Sequence, residues 1–194
     1  MKKYFAEFIG TFTLTIAVTA SILTGGGFPT YLIAGMVLGL FVVSIGNISG
    51  THINPAVTIG LLVHKKITKE KALGYILAQC AGSLFALLVT QNLSMRILSL
   101  PTEYSSVSLF AEIIGMAIFS FGIASVVFNE DNKKNAPFVI GGSLAIGALV
   151  AGALGSNGVL NPAVALGIGS FGISYLLGPI LGSVIGILAY KKIN

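Results

Sequence analysis

Apolar stretches of membrane-spanning length recur along nearly the whole chain, and this constrains the fold more than any other feature. Between breaks of Gly, Pro and charge they run near residues 3–23, 31–48, 71–90, 109–128, 137–154 and 172–190. A hydrocarbon core of about 30 Å takes about 20 helical residues at about 1.5 Å each, so every run predicts one crossing. With 55% hydrophobic and 9% charged residues among 194, the chain carries more apolar surface than a water-soluble domain of this size buries. The prediction is a single membrane domain over residues 1–194, with no room for a soluble one.

Two shorter apolar pieces, 55–63 and 162–169, cannot cross a bilayer and are each opened by Asn-Pro. They read as re-entrant half-helices. Asn is a favoured N-cap and Pro a favoured first helical residue, so Asn54-Pro55 and Asn161-Pro162 each start a helix with no donor missing. The pieces belong to an internal repeat. Ala6-Glu7-Phe8-Ile9-Gly10 opens the first span and Ala111-Glu112-Ile113-Ile114-Gly115 the fourth; Glu112 follows Glu7 by 105 residues and Asn161 follows Asn54 by 107. Tyr75, Gly82 and Ser83 answer Tyr175, Gly182 and Ser183. The halves fall at about 1–95 and about 105–194, each with three spans and one half-span. An odd number of crossings inverts the second half, so the half-helices enter from opposite faces and meet near mid-membrane.

A net charge of +5 would suggest nucleic acid for a soluble protein, but here the basic residues sit in short segments between apolar runs. Lys2, Lys3, Lys65, Lys66, Lys69, Lys71, Lys133, Lys134, Lys191 and Lys192 fall on one side and Arg96 on the other, which predicts both termini in the cytoplasm. All six tyrosines lie at or near span ends, as an interfacial belt does. The basic start resembles a secretory leader, but Glu7 interrupts it and the segment recurs later, so it is read as the first span. Cys80, the one cysteine, excludes an internal disulfide and suits packing. No organelle address is visible, making a plasma or prokaryotic inner membrane the default.

One Asn-Pro-Ala means little, whereas two at equivalent places of an inverted repeat are specific. Together with Ala6-Glu-Phe-Ile-Gly-Thr-Phe, Ile48-Ser-Gly-Thr-His-Ile-Asn-Pro-Ala-Val-Thr-Ile-Gly, Tyr75-Ile-Leu-Ala-Gln-Cys-Ala-Gly and Leu177-Gly-Pro-Ile-Leu-Gly, they make the chain resemble the aquaporin (major intrinsic protein) family over nearly its whole length. The resemblance implies an all-α membrane fold of six transmembrane helices plus two half-helices. It further implies a passive channel for water or small neutral solutes, a homotetramer with one pore per subunit in a lipid bilayer, and no cofactor. Asn54, Pro55, Ala56, Asn161, Pro162 and Ala163 would form the pore turns.

Elementary electrostatics agrees. Two facing half-helix N-termini each present roughly half a positive elementary charge, which repels a cation and leaves water alone. The Asn amides offer donors, and unwound backbone at Gly50, Thr51, His52, Ile53, Asn157, Gly158, Val159 and Leu160 offers carbonyl acceptors. Glu7 and Glu112 lie inside spans, where a proton relay is one reading. Their matching positions suit carboxylates that brace the loops, the role the resemblance implies. His52 lines the inner half of the pore by resemblance, or else is a packing imidazole. His64, the only other histidine, sits among lysines, which speaks against a metal site. Gln79 reads as a structural brace. Gly178, Gly182 and Gly186, like Gly35 and Gly39, recur every four residues, as close helix crossings require.

The chain departs from the family's pattern at the outer constriction. Most members follow the second Asn-Pro-Ala with Arg; here Val164 stands there, and the other constriction positions fall at Ala34, Leu149 and Gly158. Ala165 replaces the Asp usual in glycerol-conducting members. The expected constriction is apolar and wider than usual. A secondary transporter is the alternative, since inverted repeats also build carriers, but the spans offer no acidic or basic residue at mid-depth apart from the two glutamates. No catalytic motif points to an enzyme. A structural junction protein would follow if the apolar ring closed the pore.

Overall fold

The computed structural model describes residues 1–25, 28–94, 98, 100 and 104–194; Arg96 lies outside them. Its helices are α1 (Lys2–Thr24), α2 (Thr30–Ser49), α3 (Pro55–Val63), α4 (Lys69–Ser94), α5 (Ser106–Val127), α6 (Ala136–Ala153), α7 (Pro162–Gly167) and α8 (Ile173–Ile193). A 3-10 turn over Glu130–Asn135 precedes α6. Among the described residues six helices are long and apolar enough to span a bilayer, and α3 and α7 are not.

These boundaries follow local chemistry. α1 ends at Gly25 and α2 at Gly50, both in the left-handed region that glycine occupies without strain. α4 runs four residues past the expected end at 90. α7 stops two residues short of 169, because Gly169 turns left-handed (φ 69°) and the Ser170 N–H bonds back to Ala165 O at 2.8 Å.

The spans pack as two interlocked halves. α1 lies on α4 and α5 on α8, while α2 and α6 join the halves. Glycine lets backbones meet at these crossings: a Cβ on Gly35 would come within 2.5 Å of Gly141 O. Gly82 faces the Phe8 carbonyl, Gly182 that of Ile113 and Gly115 that of Gly147 in the same manner. The outer faces stay apolar, with Met36, Val43 and Phe138 exposed as lipid-facing side chains are.

Candidate functional site

α3 and α7 meet at their N-termini through two reciprocal bonds. Asn54 Nδ2 donates to Leu160 O, and Asn161 Nδ2 donates to Ile53 O, each at 2.9 Å. Each Asn oxygen caps its own helix: Asn54 Oδ1 accepts from Ala56 N (2.8 Å), and Asn161 Oδ1 from Ala163 N and Val164 N (3.1 and 3.3 Å). Pro55 and Pro162 occupy the first helical positions and are buried, as are Ala56 and Ala163. One proton of each Asn amide is therefore committed across the repeat, and the other is free for a passing oxygen.

The loops reaching these turns are strained. Thr51, Ile53 and Leu160 have φ of 52°, 37° and 54°, costing about 1–3 kcal/mol each for non-glycine residues. Buried carboxylates hold them there. Glu7 Oε1 accepts from His52 N (3.0 Å) and Oε2 from Ile53 N (2.6 Å). In the second half Glu112 Oε1 accepts from Val159 N (3.0 Å) and Oε2 from Leu160 N (2.7 Å). Hydrogen bonds to a charged group are worth about 1.5–3 kcal/mol each, enough to offset the strain. The third partner differs: Gln79 Nε2 donates to Glu7 at 2.8 Å, and Ser156 Oγ to Glu112 at 2.8 Å. Pro179 stands in α8 where the repeat would place a counterpart of Gln79, which accounts for the substitution.

Further bonds tie the loops to the spans. Tyr75 OH donates to Ser49 O (2.6 Å), Asn157 N donates to Tyr175 OH (3.1 Å), and Ser83 Oγ donates to Ala163 O. These tyrosine and serine positions are the ones paired by the repeat.

Two cavities approach the Asn pair, called outer and inner after the sides that the sequence predicts for them. The outer, of about 350 Å³, is walled by Ala34, Leu149, Gly158 and Val164 together with Asn157, Val159, Ile53, Asn54 and Asn161. The inner, of about 420 Å³, has Gly50 and Thr51 on its wall, with Lys66, Lys71, Glu130 and Lys133 at its opening. His52 touches both. Leu160 is fully buried and takes part through its backbone alone, its carbonyl bound by Asn54.

Sequence reasoning missed much of the wall. Leu14, Leu38, Phe119, Leu144 and Ala148 all line the outer cavity. Ala148 is 7% exposed and its carbonyl lies against Gly158, whereas Leu149 is 46% exposed. Leu38 is one helical turn beyond Ala34, and the repeat pairs Leu38 with Leu144 and Leu14 with Phe119; those were the available signals.

The Major intrinsic protein family matches residues 1–190. Glycerol uptake facilitator protein-like 6 of Lactiplantibacillus plantarum is 33% identical, over 95% of this chain and 94% of that one. Aquaporin Z of Bradyrhizobium diazoefficiens is 32% identical, over 100% and 94%. The aquaglyceroporin of Plasmodium falciparum superposes with a TM-score of 0.67 at 21% identity, covering 98% of this chain and 93% of that one, so the fold is the same. With six apolar helices of membrane-spanning length among the described residues, this multi-pass membrane protein belongs to the major intrinsic protein family and is a passive channel for water or small neutral solutes.

Proposed function

We propose that the conduit excludes cations at the junction of α3 and α7 and passes neutral solutes larger than water through its outer mouth. The observation carrying this is the reciprocal pair of Asn54–Leu160 and Asn161–Ile53 bonds. It aims both half-helix N-termini, each roughly half a positive charge, at one point in a poorly screened site. A neutral solute exchanges its hydration for the free Asn N–H groups and loop carbonyls; a cation finds no such compensation.

Ala34, Leu149, Gly158 and Val164 serve as the outer ring, which holds no charged side chain. Glu7 and Glu112, wholly buried and saturated by loop donors, act as braces rather than proton carriers. The basic opening of the inner cavity supports a cytoplasmic inner mouth and cytoplasmic termini. A homotetramer in a plasma or prokaryotic inner membrane, with no enzymatic step, completes the reading. The family speaks for this channel over a carrier.

The test is stopped-flow swelling of proteoliposomes with water, urea, glycerol and ammonia, for wild type and Val164→Arg. The variant should lower glycerol and urea flux more than water flux. Equal ratios in the two proteins would count against Val164 as part of the outer wall of the passage.

A further inference from the structure

The outer and inner cavities have only Leu38, His52 and Phe119 in common among the described lining residues. Val164 and both pore asparagines line the outer cavity, so the layer at which the two cavities meet lies beyond them. Leu38 and Phe119 are each 2% exposed and His52 8%, as side chains pressed around a narrow gap would be.

The repeat explains why this layer is the tight one. Leu38, His52 and Phe119 correspond to Leu144, Val159 and Leu14, which follow or precede them by the same 105 to 107 residues as the glutamates and asparagines. All three of those counterparts line the open outer cavity. At matching backbone positions the inner layer thus carries His for Val and Phe for Leu. Bulkier side chains on an equivalent frame narrow the layer at which the two cavities meet.

The chemistry of the layer follows from the hydrogen bonds around His52. Thr58 Oγ1 donates its single proton to Asn54 O (3.0 Å) and accepts from Gln79 Nε2 (3.0 Å). Its contact with His52 Nδ1 at 3.1 Å then requires that Nδ1 carry the hydrogen. In a neutral imidazole this leaves Nε2 as an acceptor. The ring is held edge-on against Tyr75, centroids 5.1 Å apart. Nε2 has no partner among the described residues, yet it is not among their buried, unbonded polar atoms, so it opens onto the passage.

We propose that Leu38, His52 and Phe119 form the solute-selecting barrier of this channel, passing small neutral molecules that donate an O–H or N–H to His52 Nε2. The proposal rests on the conduit reading above and adds where selection occurs and by what group. A constriction walled by Leu38 and Phe119 alone would dewet, and one polar atom in it holds the file of solutes together. His52 Nε2 is that atom.

Purified full-length protein in proteoliposomes tests it by stopped-flow flux of water, urea and glycerol. Phe119→Leu, which gives this position the side chain of its counterpart Leu14, should raise glycerol flux relative to water roughly tenfold or more, tenfold being the low end for a single methylene in a tight apolar site. His52→Leu should lower water and urea flux roughly tenfold by removing the acceptor, and Leu38→Ser in that background should restore much of it. The two positions are independent, so a poorly folding variant at one leaves the other decisive. Wild-type flux with Phe119→Leu at the wild-type glycerol-to-water ratio, or with His52→Leu at wild-type rates, overturns the barrier assignment alone. A wild type that passes none of the three solutes overturns the conduit, and the barrier with it.

Discussion

Gly35 and Gly141 stand backbone to backbone where the halves join, each in the space that a side chain on the other would need. A Cβ on either would lie 2.5 Å from its partner's carbonyl oxygen. Because α2 and α6 carry walls of the outer cavity, their separation sets its width. Gly35→Ala should therefore destabilise the protein by about 1–3 kcal/mol through overpacking. Gly142→Ala, where a Cβ would meet nothing within 4 Å, should be neutral or slightly stabilising. Thermal unfolding in detergent distinguishes the two; equal melting points would contradict the close crossing.

Ser83 and Ser183 are partners in the repeat with different surroundings. Ser83 Oγ donates to Ala163 O and so fastens α7 to α4, while buried Ser183 Oγ has no partner among the described residues. Ser83→Ala should cost about 1–2 kcal/mol by leaving a buried carbonyl with less compensation. Ser183→Ala should cost nothing or stabilise. Denaturation in mixed micelles reads the difference, and a Ser183 effect as large as that at Ser83 would refute it.

Replacing Glu7 by Gln keeps its shape and removes one acceptor. Whichever way the amide turns, its NH2 faces a backbone N–H or the Gln79 amide, all of them donors. A loss of about 1–3 kcal/mol is expected, together with collapse of water flux as Ile53 leaves its left-handed conformation. Glu112→Gln should behave alike, having the same two backbone donors. Flux at wild-type rates in folded Glu7→Gln would show that the carboxylate does not hold the loop.

Asn54→Asp keeps the acceptor that caps α3 but loses the donor to Leu160 and adds negative charge between the helix ends. The positive potential of two half-helices, roughly one elementary charge together, is then cancelled. Vesicles with this variant should leak sodium or protons measurably above wild type. Their remaining ion-tight would place the cation barrier elsewhere.

The six spans were legible because apolar runs of helical length have no other use in so short a chain. The half-helices were legible because Asn-Pro states both a cap and a first turn. The end of α7 was not, since Ile168 and Gly169 continue the apolar pattern and only the left-handed turn at Gly169 stops it. Pore-facing side chains were harder still. Helices that are apolar all round carry little periodic signal, so Leu38 and Phe119 look like lipid-facing neighbours until packing selects a face. Counting back from Asn161 gave Leu149 but could not fix the rotation of α6 that also brings Ala148 to the wall. The cross-repeat bonds of Asn54 and Asn161 likewise needed three dimensions, because each joins residues more than one hundred positions apart.

α3 and α7, nine and six residues long, are too short to enter a bilayer as spans of their own, and before entry they fall short of the roughly 12–15 residues an isolated helix needs in water. Neither can serve as a nucleus. The long spans must insert and dock first, and the short pair can order only once Glu7, Glu112 and Ser83 are already in place to receive them. The passage should thus be the last part of the molecule to assemble, and its amides the earliest to exchange when the protein loosens.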